Sequence, residues 1–385
     1  MAKVKPGLEV LIDEQIDAVA GKRVGLITNH SAVTSDTTHI LDALLAAGVN
    51  VTALFAPEHG IRGDIADGDA VASGKDARTG ITEHSIYGGA GRPTPEMLED
   101  VDVLIYDLQD IGARYYTFMS TMTNCMQAAA ETGKQFIVLD RPNPVTGVTV
   151  DGQVLDLQCA SFIGLHAIPD RPGMTIGELA TLFNGTLGYG TDLIVVPCRG
   201  WSREMWWEDT GLPWVVPSPN IPTQDSALAF TITCLIEGTN LSEGRGITRP
   251  FEIVGAPFVD PFKLAEHLNA VGLPAVRFRP AHFIPHTSKH AKQPCKGVQI
   301  HFMDRNAVQT VRTGLHVVKA LRDLHPNDFE FLPVNSSGRN HFAHVVGSLR
   351  TQEALEAGVP ADEIYESYLG GLEEFKQLRQ QYLLY

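Results

Sequence analysis

Apolar residues in the first 140 positions fall into two alternating patterns. Short runs rich in β-branched residues predict strands over residues 22–28, 49–55, 101–106 and 135–139. Between them, apolar residues at helical spacing predict helices over residues 37–47 and 117–131. Strands that alternate with helices are typical of βαβ units. This half of the chain is therefore predicted to be α/β, with a Rossmann-like, doubly wound and mainly parallel sheet.

The sheet is expected to continue through a strand, a helix and a strand between residues 165 and 197. Thr175 and Glu178 form the capping-box pattern that begins this helix. Four prolines follow within residues 213–222, and we place a domain boundary near Asp225. Beyond it we predict a strand over residues 298–302, a helix over 307–324 and one or two helices within 360–384. The chain is thus divided into a Rossmann-like domain, residues 1–225, and a smaller C-terminal α+β domain, residues 226–385.

Composition limits the partners of this chain. Of its 385 residues, 44% are hydrophobic and 19% are charged, which is typical of a folded protein with a sizeable core. Thirty Lys and Arg against 45 Asp and Glu give a net charge of −15. Because nucleic acids and anionic membranes attract basic surfaces, we expect no nucleic-acid partner. The longest stretch without Asp, Glu, Lys or Arg, residues 115–130, is too polar to span a bilayer, so we expect no membrane insertion. A small-molecule or carbohydrate partner fits this charge better.

The N-terminal residues lack the apolar segment of a signal peptide. Five scattered cysteines include no CxxC pair, and an odd number suits reduced, buried thiols better than a disulfide framework. As written, the chain is expected to be cytoplasmic. A periplasmic or secreted location is the alternative if a signal has been removed, and the sequence leaves the oligomeric state open.

Polar loops follow each of the four predicted strands of the first half, at residues 29–31, 57–63, 107–114 and 140–144. In open α/β sheets, ligands bind beyond the carboxyl ends of the strands. We therefore expect the four loops to converge on one site. Residues 61–93 contain seven glycines and no clear periodicity, which predicts a long functional loop or lid over that edge.

Two carboxylates are candidates for acid–base chemistry. Glu58 follows the apolar residues Phe55 and Ala56, and an apolar wall can raise a carboxyl pKa enough for a general acid near neutral pH. The structural alternative is that Glu58 caps the turn at Gly60 or pairs with Arg62. Asp107 directly ends a predicted strand and is the second candidate. Asp110 is interpreted as either functional or a turn residue.

Other polar residues in these loops have both a binding and a structural interpretation. Two prolines stiffen the loop that would present Asp140 and Asn143 to sugar hydroxyl or amide groups, but a structural turn explains them equally well. Arginine forks match carboxylates, so the loop with Glu243, Arg245 and Arg249 can dock an acidic substituent or can simply be solvated. Arg114 can equally neutralise a neighbouring carboxylate.

Several motifs are absent from the sequence. It contains no GxGxxG after the first strand, no P-loop, no HExxH and no GxSxG. His282, His286 and His290 have helical spacing, but Pro280 and Pro285 interrupt a helix there. We therefore expect no cofactor and no metal site. The four tryptophans within residues 201–214 fit a sugar platform or a core, and we favour the core.

Five strings of residues, in order along nearly the whole chain, resemble the exo-β-N-acetylmuramidase family named for NamZ. They are Gly25-Leu26-Ile27-Thr28-Asn29, Phe55-Ala56-Pro57-Glu58-His59-Gly60-Ile61-Arg62-Gly63, Asp107-Leu108-Gln109-Asp110-Ile111-Gly112-Ala113-Arg114-Tyr115-Tyr116-Thr117, Asp140-Arg141-Pro142-Asn143-Pro144 and Glu243-Gly244-Arg245-Gly246. The resemblance implies a glycoside hydrolase that releases β-1,4-linked N-acetylmuramic acid from the non-reducing ends of peptidoglycan fragments, in cell-wall turnover or recycling. It also implies an active site in the cleft between a catalytic N-terminal domain and a C-terminal domain that completes the cleft.

The resemblance gives the candidate residues roles. Glu58 becomes the general acid, and the second group is Asp107 as a base, Glu243 as a weaker candidate, or the 2-acetamido group of the substrate. Muramic acid carries a lactyl carboxylate that the enzyme must recognise. The cations that could bind it are Arg62, Arg114, Arg245 and Arg249. The remaining candidates for contacts with the substrate are Asn29, His59, Gln109, Tyr116, Asp140, Asn143 and Glu243.

Two rival functions stay open on the residues alone. One is a non-catalytic protein that binds muropeptides or other acidic sugars. The other is a metal-assisted amidase or deacetylase with His and Asp ligands. Binding without product release would favour the first, and loss of activity on chelation would favour the second.

Overall fold

The first half of the chain forms a seven-stranded sheet. The structure, a computed structural model, describes residues 3–66, 68–88, 91–335, 338 and 340–385. The strands are β1 (Arg23–Thr28), β2 (Asn50–Ala56), β3 (Gly74–Lys75), β4 (Thr82–Ser85), β5 (Val103–Asp107), β6 (Gln135–Leu139) and β7 (Asp192–Val196). Their order is β3-β4-β2-β1-β5-β6-β7. All neighbours are parallel except the antiparallel pair β3 and β4. The predicted doubly wound, mainly parallel sheet is confirmed.

Helices cover both faces of this sheet. They are α1 (Gly7–Glu14), α2 (Ile40–Ala46), α3 (Phe118–Glu131) and α4 (Ile176–Leu187). Side chains of α1 and α2 share one apolar cluster with Leu26 of β1, whereas α3 and α4 share another with the next residue, Ile27. Successive strand residues point to opposite faces, so a run of apolar residues in β1 serves both cores. The capping box of Thr175 and Glu178 begins α4 as predicted.

Two predictions of secondary structure in this half are wrong. No strand is described between residues 165 and 175, where only isolated bridges such as Asp151 with Arg171 occur. Pro169 and Pro172 each remove a backbone donor there, so the stretch cannot sustain a ladder. Residues 61–93 are not one long loop, because β3 and β4 lie within them and β4 pairs in parallel with β2. Asp67, Gly89 and Ala90 of that segment lie outside the described residues.

The second half contains a smaller sheet and most of the remaining helices. Its elements are α5 (Gln224–Thr233), β8 (Ile253–Ala256), α6 (Pro261–Val271), β9 (Val276–Phe283), β10 (Cys295–Phe302), α7 (Thr310–Leu324), α8 (His341–Val346), α9 (Leu349–Glu356), α10 (Ala361–Glu366) and α11 (Leu369–Arg379). The sheet is antiparallel, in the order β8-β10-β9. The predicted α+β architecture, the strand at 298–302 and the helix at 307–324 are confirmed within β10 and α7.

The two halves share one apolar core. Phe230 of α5 and Phe342 of α8 belong to the same buried cluster as Tyr106 of β5. The predicted boundary near Asp225 falls in the first turn of α5, and the exact domain division stays a prediction. Among the described residues, no helix is long and apolar enough to cross a membrane.

Candidate active site

A cleft of about 670 Å³ lies where loops of the large sheet face the second half of the chain. From the side of the sheet, it is lined by Glu58, His59, Tyr116 and Thr117. The opposite wall includes Glu237, Arg245, Ser288 and His341. Its volume is within the range of pockets that bind small organic ligands. Both halves of the chain therefore contribute to one site.

Glu58 lies two residues beyond β2, and its carboxylate accepts three hydrogen bonds. Oε1 accepts from the Tyr87 hydroxyl at 3.0 Å and from the Gly68 backbone N–H at 3.2 Å. Oε2 accepts from the Thr117 hydroxyl at 2.7 Å. Arg62 pairs with Asp76 instead, which removes the alternative of a Glu58–Arg62 ion pair.

The turn after Glu58 has left-handed backbone at two successive residues. His59 has φ of 73° and Gly60 has φ of 72°. Left-handed conformations are costly for residues with a Cβ, so His59 is held there by its surroundings. Its ring Nδ1 lies 2.9 Å from the carbonyl oxygen of Ile65, to which it donates. This turn directs the chain away from the sheet and leaves Glu58 at the cleft.

Aromatic rings form an apolar part of the cleft lining. Tyr115, Tyr116, Phe230 and Phe251 all line it. Phe230 packs against Phe251 with ring centroids 4.7 Å apart and against Tyr115 at 5.2 Å. Rings that pack edge-on and tilted in this way hold one another in place, and each ring that lines the cleft can offer an apolar face to the C–H groups of a sugar.

The wall opposite the sheet carries charged groups in pairs. Arg245 donates from Nη2 to Glu237 at 2.6 Å, and its Nε lies 3.3 Å from Glu243. His341 Nε2 lies 3.8 Å from the second oxygen of Glu237. Burial opposes ionisation of Glu237, but Arg245 and His341 outweigh it and lower the pKa to about 2. Glu237 is therefore an anion that fixes Arg245 at the cleft.

Asp107, the predicted second carboxylate, does not line this cleft. It is fully buried at the end of β5, where both of its oxygens accept from Arg141. Burial raises the pKa of Asp107, and Arg141 opposes that shift. Glu243 is also buried, and it pairs with Arg245 and with Lys289 at 2.9 Å.

Asp140 and Asn143 are buried away from the cleft lining. Asp140 accepts from the Thr175 and Tyr385 hydroxyls, each at 2.7 Å, and from the Gly177 N–H at 2.8 Å. Asn143 donates to the Met174 carbonyl oxygen at 3.0 Å and accepts from Val145. These contacts tie strand ends to α4 and to the last residue of the chain, which is the structural role proposed as the alternative.

Asn29 and Gln109 also have internal partners. The Asn29 side chain accepts from the backbone and hydroxyl of Ser31 at 2.9 and 2.6 Å. Gln109 donates to the carbonyl oxygens of Asp110 and Pro142. Neither residue belongs to the lining of the large cleft.

Three of the four candidate arginines lie outside the cleft lining, and each has a carboxylate partner. Arg62 pairs with Asp76, and Arg249 pairs with Glu252 at 2.8 Å. Arg114 is fully buried against Asp170 and donates to the Val345 carbonyl oxygen at 3.0 Å. Of the predicted site residues, the structure thus brings together Glu58, His59, Tyr116 and Arg245.

The histidines and tryptophans singled out in the sequence lie elsewhere. His282 is part of β9, and no group of three or more described His, Cys, Asp or Glu side chains is placed to hold a metal ion. Trp201, Trp206 and Trp207 are buried, and Trp207 packs edge-on against Trp214 at 5.2 Å. The preferred interpretation of the tryptophans as core residues is the one that the packing supports.

Several residues of the cleft are not found by sequence reasoning. The sequence places Thr117 only at the start of a helix, and His341 carries no motif. Ser218 and Asn220 line the cleft from the proline-rich segment that the sequence marks as a domain boundary. Prolines flank short polar residues in this segment, as they do in residues 140–144, and they stiffen the backbone. This shared pattern is the feature of the sequence that could have marked Ser218 and Asn220 as candidate site residues.

Fold and site together define a two-domain α/β protein with a carboxylate-bearing, aromatic-lined cleft suited to a saccharide. Family models described as the N-terminal and C-terminal parts of exo-β-N-acetylmuramidase NamZ match residues 24–225 and 228–385. The chain belongs to this family, as the sequence motifs predicted. A peptidoglycan β-N-acetylmuramidase NamZ from Bacillus subtilis (strain 168) is 46% identical over 384 residues, which is 100% of this chain and 92% of that protein.

Two solved structures of DUF1343 family proteins from Bacteroides fragilis NCTC 9343 have the same fold. The first has a TM-score of 0.92 at 37% identity and covers 100% of both chains. The second has a TM-score of 0.81 at 30% identity and covers 100% of this chain and 99% of its own.

Proposed function

We propose that this protein is an exo-acting glycoside hydrolase that releases β-1,4-linked N-acetylmuramic acid from the non-reducing ends of peptidoglycan fragments. The observation that carries the proposal is Glu58, a carboxylate held at a saccharide-sized cleft by three hydrogen-bond donors. The similar protein from Bacillus subtilis is a peptidoglycan β-N-acetylmuramidase by name, and this chain matches it along its full length.

Glu58 is the general acid in this proposal. Cleavage of a glycosidic bond needs a carboxylic acid that protonates the leaving oxygen while the bond to the anomeric carbon breaks. Glu58 is only half-buried and lines the cleft, so a substrate oxygen can reach it. The aromatic side chains of the lining hold the sugar, and they exclude water from the apolar face of the sugar ring.

The 2-acetamido group of the substrate is the second reacting group. Asp107 and Glu243 are engaged in buried ion pairs, and neither lines the cleft. Glu237 is the other described carboxylate of the lining, and it is bound to Arg245. The acetamido oxygen attacks the anomeric carbon as the bond to the leaving oxygen breaks, and a cyclic intermediate forms without a carboxylate nucleophile. Water then attacks the anomeric carbon, breaks the bond to the acetamido oxygen and gives a proton to Glu58. Two displacements give net retention of configuration.

Arg245 recognises the lactyl carboxylate that distinguishes muramic acid from N-acetylglucosamine. It lines the cleft, and Glu237 and Glu243 hold its guanidinium group in place. A guanidinium group binds a carboxylate through two parallel hydrogen bonds. Nε2 of His341 lies near Glu237, the carboxylate that also binds Arg245. The imidazole is therefore a second nitrogen-bearing group on this wall, beside the guanidinium group.

The test is the variant Glu58→Gln. It removes the transferable proton but keeps the shape of the side chain, so turnover of a chromogenic β-N-acetylmuramic acid glycoside should fall by roughly 10²–10⁴-fold. Glu96→Gln, in an exposed turn outside the cleft lining, is the matched control and should keep full activity. Near-normal turnover by Glu58→Gln, with native circular dichroism, would contradict the proposal. Saccharide binding by the unaltered protein without product release would instead favour a binding protein.

A further inference from the structure

The two oxygens of Glu58 have different kinds of hydrogen-bond donors. Oε1 accepts from a backbone N–H, that of Gly68, and from the Tyr87 hydroxyl. Oε2 accepts from the Thr117 hydroxyl. A backbone N–H can only donate, whereas a hydroxyl hydrogen rotates and the hydroxyl oxygen can also accept. The two oxygens are therefore not equivalent when Glu58 takes up a proton.

We infer that protonated Glu58 carries its transferable hydrogen on Oε2, next to Thr117, and that Thr117 and Tyr87 are positioning residues for this acid. This inference rests on the proposed function of Glu58. Oε1 already accepts from two donors, and one of them, the Gly68 N–H, cannot turn away from a hydrogen placed there. A hydrogen on Oε2 faces the Thr117 hydroxyl, which can rotate and accept it.

The start of α3 supports this role for Thr117. Thr117 directly precedes α3 with helical backbone angles, φ −65° and ψ −14°, and its side chain makes no capping hydrogen bond. An N-cap side chain accepts from the first helical turn when its backbone is extended, and that of Thr117 is not. The hydroxyl donates to Glu58 at 2.7 Å, so the acid has a reversible partner that itself lines the cleft.

Tyr87 acts on Glu58 from outside the cleft lining. It follows β4, and its ring lies 6.0 Å from that of Phe162. Its hydroxyl donates to Oε1, and a donor to a carboxylate favours the ionised form. Tyr87 thus fixes the orientation of the carboxyl group and eases release of the hydrogen from Oε2.

Proton transfer from Glu58 conserves atoms and electrons. The Oε2–H hydrogen moves to the glycosidic oxygen, and the electron pair of the bond between the anomeric carbon and that oxygen stays on the oxygen. The leaving sugar departs as an alcohol, Glu58 becomes a carboxylate, and the 2-acetamido oxygen of the substrate forms the new bond to the anomeric carbon. The Thr117 hydroxyl then rotates and donates to Oε2, as it does in the structure. Thr117 keeps its own hydrogen throughout.

The first test is Tyr87→Phe, which removes one donor and keeps the ring. The alkaline limb of the kcat/KM profile should move to higher pH by about 0.4–1 unit, the equivalent of one hydrogen bond. The other titratable groups of the cleft, chiefly His59, Tyr116, Glu237, Arg245 and His341, are unchanged in this variant, so they cannot produce the difference. Tyr189→Phe, a half-buried tyrosine after α4, is the control and should leave the profile unchanged.

The second test compares Thr117→Val with Thr117→Ser. Valine keeps the shape and loses the hydroxyl, so kcat should fall more than tenfold with KM within about twofold, whereas serine should restore most of kcat. The thermal midpoint should stay within about 2 °C, because no capping bond is lost. An unmoved alkaline limb in Tyr87→Phe, or full kcat in Thr117→Val, would overturn this inference alone. Activity in Glu58→Gln would overturn the proposed function as well.

Discussion

At the scale of single residues, Asp110 shows what burial does to a carboxyl group next to the site. Its Oδ1 accepts from the Gly112 N–H at 2.6 Å, which closes a tight turn. Its Oδ2 is buried with no hydrogen-bond partner in the described part of the chain. Burial raises the pKa of Asp110 to about 7. The group is therefore a turn residue that prefers to be protonated in the folded protein.

This preference predicts a pH dependence of stability. An unfolded aspartate has released its proton above about pH 4, whereas folded Asp110 keeps it up to about pH 7. Because the native state then binds more protons, the free energy of unfolding falls as pH rises, by up to about 1.4 kcal/mol per pH unit between these values. Asp110→Asn cannot titrate and should lose this part of the slope.

The measurement is urea unfolding from pH 4 to pH 8 for both proteins. Asp100→Asn, at an exposed aspartate paired with Arg23, is the control and should follow the unaltered protein. Parallel curves for the unaltered protein and Asp110→Asn would show that Asp110 is ionised in the folded state.

Residue-scale prediction from sequence locates a side chain well where its position depends on its own loop. Glu58 lines the cleft, as expected for a residue between a strand and a glycine turn. Prediction fails for Asp107, whose partner Arg141 is 34 residues away. Arg114 is similar, since Asp170 is 56 residues away. A sequence shows that a charged residue follows a strand, but it does not show which distant charge the fold brings against it.

At the scale of elements, α8 depends on a close approach of two backbones. This helix begins with His341 and also places Val345 in the cleft lining. A Cβ on Gly238 would lie 2.3 Å from the Cα of Phe342. Only a residue without a side chain allows α8 to pack this closely. Gly238 therefore sets the position of the cleft wall that carries His341.

Gly238→Ala should destabilise the protein by about 1–3 kcal/mol, because α8 must shift to admit a methyl group. Gly370→Ala is the matched control. Gly370 lies in α11, where an added Cβ would have open space around it, so alanine there should stabilise by up to about 1 kcal/mol. Guanidinium unfolding of both variants gives the two free energies. Equal stability of Gly238→Ala and the unaltered protein would mean that α8 is not held by this contact.

Element prediction is best in the central strands of the parallel sheet. The predicted strand at 135–139 has the observed bounds of β6, because an apolar run between turn residues has a single interpretation there. The edge strand β3 and its neighbour β4 escape prediction, because both are short, lack buried residues and have no strong apolar pattern. Short helices such as α8 and α9 have the same weakness.

At the scale of the whole molecule, a net charge of −15 disfavours the binding of an anionic substrate, which muramic acid is through its lactyl carboxylate. The sequence offers four arginines as candidates to gather at the site. All four have carboxylate partners, but in the described residues Arg245 is the one that lines the cleft. Under the proposed function, recognition of a carboxylate is therefore expected at one wall of the cleft of an acidic protein.

The proposed function assigns selectivity for muramic acid to Arg245. Arg245→Ala should narrow the preference for a muramic acid glycoside over the N-acetylglucosamine glycoside roughly tenfold or more, as expected for the loss of a charged hydrogen bond. Arg249→Ala removes the same charge from the molecule, outside the cleft lining, and should leave the ratio of kcat/KM values unchanged. Because both variants have the same net charge, a difference between them measures position and not overall charge. An unchanged ratio of kcat/KM for the two glycosides in Arg245→Ala would assign recognition of the lactyl group to another residue. An equal decrease of that ratio in both variants would assign it to the long-range field of the protein.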